Sequence, residues 1–262
     1  MATDLHTLNA VLGASIEEQV VRTLNLIRNV WDPNGRYALY SFVRQPQTFP
    51  DVRLRKSGDG ETLMGVELKG WYLLAKEAEP SLRFQTTAAA CAKQDLIVVV
   101  PWVLGNVISG APVLFEPFIE LARYAADYRN HHWAHLRKTK DKTDIAISHN
   151  IRPYPSKSDQ ISDTPASDRG GNFGRLARTG LMDAYMKTLV DVPLCGIRAC
   201  YWREFLRAFQ ESTSDTEVRA SLARLRSRVH ASPGTPDAKA RSALVIIAEL
   251  ERLFGVEAYF SP

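Results

Sequence analysis

Near the amino terminus the apolar positions recur at spacings of three and four. Ile16, Val20, Leu24, Ile27 and Trp31 share one face when 15–31 is wound as a helix. Ser15 stands where an N-cap is needed, Glu17 and Glu18 suit the positive end of the helix dipole, and Asp32-Pro33-Asn34-Gly35 stops the helix. The period then shortens to partial alternation. Segments 37–43 (YALYSFV), 49–55 (FPDVRLR) and 62–71 (TLMGVELKGW) are rich in β-branched and aromatic residues and predict three strands. The run Lys56-Ser57-Gly58-Asp59-Gly60-Glu61 supplies hairpin-turn chemistry between the last two. Small residues over 86–93 predict a short helix, and 95–102 (DLIVVVPW) predicts a strand buried on both faces. Helical spacing returns over 118–137. A polar stretch, 149–180, reads either as a long functional loop or as a partly mobile insert, and three helices follow at 197–212, 214–229 and 236–253. The pattern predicts an α/β fold, a mixed central sheet flanked by helices, with a mostly helical carboxy-terminal half.

Charge adds a possible partner. The chain has 33 Lys and Arg against 29 Asp and Glu, a net charge of +4, which permits a polyanionic ligand. Cations gather between 135 and 178, with a smaller group, Arg53, Arg55 and Lys56, after Asp51. The three cysteines, Cys91, Cys195 and Cys200, form no CxxC pair, which argues against a zinc cage or disulfide framework and for a reducing compartment. The stretch MATDLHTLNA does not read as a signal peptide, and the apolar run 96–108 is interrupted by Pro101, Gly105 and Asn106 and is too short to cross a bilayer. A cytoplasmic protein is expected.

Chemistry concentrates on the predicted hairpin. Glu67 and Lys69 lie two apart on one strand and so share a face, and pairing of the two arms places Asp51 across from them. Two carboxylates and an ammonium around one point suit a hard cation such as Mg2+ with a proton-handling group beside it. Because charges within Val66-Glu67-Leu68-Lys69 are costly to bury without a metal or partners, the cluster is expected to be exposed at the sheet rim.

Pro50-Asp51, followed by Glu67-Leu68-Lys69 at the end of an apolar strand, preceded by an amphipathic helix and followed by helix and strand, resembles the PD-(D/E)xK nuclease core of type II restriction endonucleases. The resemblance spans roughly 14–102. It implies a restriction-endonuclease-like core over 1–117, with 118–262 as an elaboration for DNA recognition and dimerisation in one compact unit with it. It also implies a magnesium-dependent endonuclease that hydrolyses double-stranded DNA at a specific sequence and leaves 5′-phosphates. Its expected partners are a second copy of the chain and a cognate DNA methyltransferase acting on the same site. Asp51, Glu67 and Lys69 would be catalytic. Asp51 and Glu67 would hold magnesium, and the glutamate that many members carry on the first helix maps to Glu17, since Glu18 points away from the helix's apolar face.

Recognition falls to the loop Asp168-Arg169-Gly170-Gly171-Asn172-Phe173-Gly174-Arg175. Arg169, Asn172 and Arg175 are side chains suited to base edges, and the glycines permit close backbone approach; a glycine-rich turn with arginines on its wet side is an equal alternative. Arg83 or Gln85 could touch a phosphate or simply be solvated. His131 and His135, four apart, lack a third ligand at recognisable spacing and read as structural or surface residues. Trp202, Phe205, Leu206 and Phe209 make a packing stripe. Two rivals stand beside the restriction enzyme: a structure-specific repair or mobile-element nuclease, and a non-catalytic DNA-binding protein. No GxxxxGK[ST] motif is present, which favours an enzyme without an ATP-driven partner domain.

Overall fold

The amphipathic face of the first helix forms at Ile16, Val20 and Leu24, within an element longer than its local signals suggest, whereas Ile27 is exposed where the helix breaks. In the computed structural model, which describes residues 2–45, 47–58, 60–75, 79–107, 109–137, 145, 153–208, 214–230 and 238–253, helix α1 spans Ala2–Leu26. Ser15 is therefore inside it and caps nothing. Its hydroxyl turns back to the Val11 carbonyl at 3.0 Å, the bond a serine makes in mid-helix. A single turn, α2 (Arg28–Trp31), continues the path. Asp32 ends it, its carboxylate accepting the Tyr37 N–H at 2.9 Å.

Three antiparallel strands follow: β1 (Tyr40–Arg44), β2 (Val52–Lys56) and β3 (Thr62–Tyr72). Arg44 faces Val52, and Val52 faces Val66, with a register shift at Leu54/Arg55. Strand β4 (Leu96–Leu104) lies beside β3. The seam contacts advance together, Gln94 to Leu63, Asp95 to Gly65 and Leu73 to Trp102, so these two strands run parallel and the sheet is mixed. Helices flank it. Phe42, Val52, Leu54, Val66 and Leu68 form the core, with Val20, Val21, Leu24 and Trp31 of the helical segment packed on it.

Two expected helices come out differently. Over 86–93 there is one 3-10 turn, Ala88–Ala90, between extended Thr87 and Cys91. The small residues serve close packing beside α3 (Ala122–His131), with Ala90 fully buried. Residues 118–121, read as helix, form β6 (Phe118–Leu121) and pair antiparallel with Leu96–Val99. The open edge of β4 offers these residues backbone hydrogen bonds that outweigh a weak helical period. Helix α3 then closes in a π turn, His132–Leu136. Of the 149–180 loop, 149–152 lie outside the described residues. The rest is packed: Phe173 and Leu176 are fully buried, and Arg129 donates to Asp163 at 2.9 Å.

Apart from the ends of β3 and β4, these elements belong to a first compact unit, 1–71, 80–101 and 115–182; a second contains 72–79, 102–114 and 183–262. In the second, β5 (Pro112–Leu114) pairs with Trp102–Leu104. Helix α4 (Asp183–Val190), the two-residue strands β7 (Pro193–Leu194) and β8 (Ile197–Arg198), and helices α5 (Ala199–Ala208), α6 (Asp215–His230) and α7 (Ala238–Leu253) complete it. The packing stripe on α5 is real: Trp202 is fully buried and donates its indole N–H to the Leu194 carbonyl at 2.7 Å, and Phe205 is buried too. Phe209 lies outside the described residues. The helix expected at 197–212 begins two residues later, because Ile197 and Arg198 close a hairpin with Leu194 and Pro193. No described helix is long and apolar enough to cross a membrane.

Candidate active site

Strand alternation puts Val66 and Leu68 into the apolar core and turns Glu67 and Lys69 to the other face. Asp51 immediately precedes β2, whose register opposes Val52 to Val66, so it arrives opposite Glu67. Gly65 explains how it gets there. A Cβ at Gly65 would lie 2.2 Å from Pro50 Cγ; the bare backbone lets Pro50 pack flat on β3 and sets Asp51 beside it. The Leu68 N–H then donates to Asp51 Oδ2 at 2.7 Å.

Lys69 Nζ reaches Glu67 Oε1 at 2.6 Å and Asp51 Oδ2 at 3.8 Å. The three expected side chains are thus brought together. They are not at an exposed rim: Glu67 is only 8% exposed. Lys69 and the Leu68 amide are the partners that make burial tolerable, but compensation is incomplete. Glu67 Oε2 is buried and has no hydrogen-bond partner. Burial, and then the Glu67 charge, push the Asp51 carboxyl up to about 7, against the pull of Lys69 and the Leu68 amide. For Lys69, burial opposes the ammonium, yet the charges of Glu67 and Asp51 prevail and its pKa is raised. At neutral pH the lysine is a cation, not a base.

Glu17 stands at the border of this group. It is half-buried while Glu18 is exposed, and its charge acts on both Asp51 and Lys69. Its carboxylate, however, holds Arg44 Nε at 2.6 Å. Among the described residues no three or more His, Cys, Asp and Glu side chains gather as a metal cage, so Glu17 is not collected with Asp51 and Glu67. Arg44 went unnoticed in the sequence. Its place follows only from the β1–β2 register, which sets it opposite Val52, next to Asp51.

A hard divalent cation fits the pair Asp51 and Glu67. Two carboxylates repel, one raises the other's proton affinity, and a buried oxygen lacks a donor; each deficit is one that a cation removes.

The glycine-rich loop 168–175 is ordered by its own polar groups. Asp168 Oδ1 accepts the Gly171 N–H at 2.8 Å, and Asn172 Nδ2 donates to the Arg169 carbonyl at 2.5 Å. Asn172 Oδ1 accepts from Arg178, so both ends of this amide are engaged inside the loop. Arg169 is exposed, whereas Arg175 is half-buried and bridges by backbone to Arg83. A Cβ at Gly171 would strike the Arg83 guanidinium at 2.0 Å, which gives both Arg83 and Gly171 a packing role. The His131 and His135 rings lie 5.1 Å apart between centroids, tilted by 51°. Compared with protein-family models, curated proteins and solved structures, the chain matches none.

Proposed function

We propose that the protein is a magnesium-dependent endonuclease of the PD-(D/E)xK kind, acting on double-stranded DNA at a specific sequence as a type II restriction endonuclease and leaving 5′-phosphates. The observation that carries this is the uncompensated carboxylate pair, Asp51 and Glu67, with Lys69 against both. The parallel step from β3 to β4 and α1 beside the hairpin agree with a restriction-endonuclease-like core.

Asp51 and Glu67 would hold the ion, which would supply a Lewis acid for charge developing on the phosphate and its leaving oxygen. Pro50 on Gly65 and the Leu68 N–H fix the Asp51 carboxylate. Lys69, kept protonated by its neighbours, orients the attacking water and a phosphate oxygen by donating hydrogen bonds. Glu17 joins the ion only by releasing Arg44; otherwise it tunes the charge around Asp51. Arg169 and Arg175 would contact DNA, and Asn172 holds the loop that presents them. A homodimer would pair two such sites on the two strands, and a cognate methyltransferase would protect the host's own sites.

The test is incubation of plasmid DNA with magnesium. Discrete fragments support the restriction enzyme, and their loss in Asp51→Ala and Lys69→Ala, with DNA still bound in calcium, supports the assigned residues. Nicking or shredding points to a structure-specific nuclease, and intact but shifted DNA to a binding protein. Full cleavage by either variant sinks the site.

A further inference from the structure

The face of β3 that carries Glu67 and Lys69 continues, towards the start of the strand, into a second polar network. Gly65, Glu67 and Lys69 alternate onto this face, and Arg53 stands opposite Gly65 on β2. Asp95, the residue before β4, sits against Gly65, and Tyr154, from the polar stretch 149–180, is bonded to Asp95. We propose that Asp95 and Tyr154 are positioning residues for Asp51, holding in place the strand and the peptide that carry its carboxylate. The role rests on Asp51 being a metal ligand.

Asp95 is fully buried, yet both of its carboxylate oxygens are bonded. Oδ1 accepts the Gly65 N–H and the Tyr154 hydroxyl, each at 2.7 Å, and Oδ2 accepts the Ala92 N–H at 2.7 Å. Three parts of the chain are thereby tied to one side chain. Burial raises the Asp95 pKa, opposed by these three bonds and by the charge of Arg53. Burial, and then the bond to Asp95, raise the Tyr154 pKa, so the hydroxyl keeps its proton and stays a donor.

Two paths lead from this point to Asp51. The first runs through Gly65. A Cβ there would lie 2.2 Å from Pro50 Cγ and 3.3 Å from Asp95 Oδ1, so the proline ring and the Asp95 carboxylate press on the same stretch of bare backbone. The second runs through Arg53. Its guanidinium carbon lies 4.9 Å from the Tyr154 ring centroid, and Nη2 donates to the Phe49 carbonyl at 3.4 Å, on the peptide that leads into Pro50. Arg53 Nε is buried without a hydrogen-bond partner, and the Tyr154 face is what steadies the cation there. Tyr154 therefore acts on Pro50 twice, by its hydroxyl through Asp95 and Gly65 and by its ring through Arg53. Asp51, the next residue, accepts the Leu68 N–H at 2.7 Å, so a slip of Pro50 on Gly65 is read directly in that bond.

Tyr154→Phe removes the hydroxyl and keeps the ring; Tyr154→Leu removes both. The first readout is the Leu68 amide resonance of isotope-labelled, metal-free protein. The second is magnesium binding by calorimetry without DNA. We expect the Leu68 resonance to move in Tyr154→Phe and further in Tyr154→Leu, while amides remote from 49–69, 92–95 and 154 stay in place and show the fold intact. Magnesium should bind about tenfold more weakly to Tyr154→Phe, the low end for groups that support a metal ligand, and more weakly still to Tyr154→Leu. Asp95→Asn, whose amide sets a donor against the Gly65 or Ala92 N–H, should reproduce the Leu68 shift. A tyrosine that only stabilises the fold would lower the melting temperature and leave both readouts unmoved. An unmoved Leu68 resonance in Tyr154→Leu, or magnesium affinity equal to that of wild type in both Tyr154 variants, overturns the role. If wild type itself binds no magnesium, it is the metal site at Asp51 that fails; the Leu68 resonance, read without metal, still decides the positioning.

Discussion

At Arg129 burial is complete and so is the hydrogen bonding; at Glu67 burial is nearly as deep, yet one carboxylate oxygen has nothing to bond. The Arg129 guanidinium donates from Nε to Asn130, from Nη1 to the Phe84 and Thr86 carbonyls, and from Nη2 to Asn130 and Asp163. Its five N–H bonds are all used, and the cation also lies 4.7 Å from the Phe173 ring centroid. Burial lowers its pKa to about 10, which leaves it charged at neutral pH. Asp51, Glu67 and Lys69 also combine both signs, but two anions share one cation and the Asp51 carboxyl is pushed up to about 7. Where charge serves structure, every group is answered. At Glu67 one oxygen is left without a partner, as the metal site proposed there requires.

That contrast is broken most sharply by substitution at Glu67. Glu67→Gln removes one of the two carboxylates, so cleavage should fall on the order of 10³-fold in a plasmid assay. Its stability in urea without metal should change by less than about 1 kcal/mol, because relief of the repulsion on Asp51 offsets the weakened hold on Lys69, which keeps Asp51 as a counter-charge. Asp163→Ala should do the opposite kind of damage, costing about 3–5 kcal/mol in the same urea titration by stranding buried Arg129. Equal destabilisation by the two variants would erase the distinction between the regions.

Gly65→Ala comes next. Its new Cβ meets Pro50 Cγ at 2.2 Å, and relief of such overpacking costs about 1–3 kcal/mol. Since Pro50 carries Asp51, cleavage should fall more than binding of DNA in calcium. Glu17→Ala should be the mildest change. Its carboxylate is spent on Arg44, half-exposed in its side chain at 45%, and a pair of that kind contributes about 0.2–1 kcal/mol, so activity should drop only a few-fold. A loss as large as that of Glu67→Gln would instead make Glu17 a ligand.

How far these differences were legible in the sequence depends on the range of the interaction. The helix face at Ile16, Val20, Leu24 and Trp31, the three strands and the hairpin that opposes Asp51 to Glu67 are read from local periodicity, and the candidate site's three residues follow from them; only Ile27, exposed at the helix break, departs from the face. Ser15 misled because N-cap and mid-helix serines look alike until the helix's true start is known. Residues 118–121 misled because the free edge of β4 that captures them is 19 to 25 residues away in the chain. The depth of Glu67 was also hidden. It depends on Asp51 and Lys69 acting as partners, not on the polarity of the strand itself. The complete bonding of Arg129 joins residues up to 45 apart, and Arg44 finds Glu17 across 27; no pattern along the chain encodes either.

The central claim is that Asp51 and Glu67 are held short of a cation. An acid whose folded pKa lies above its unfolded value makes the metal-free protein less stable as pH rises through that interval, here from about 4 towards 7. A cation reverses this by displacing the proton. Magnesium added to weakly buffered protein near pH 7 should therefore release protons as it binds, read by pH-stat and by calorimetry in buffers of different ionisation enthalpy. The account predicts release by wild type and its loss in Asp51→Asn. Magnesium binding with no proton release, or the same release from Asp51→Asn, would contradict it.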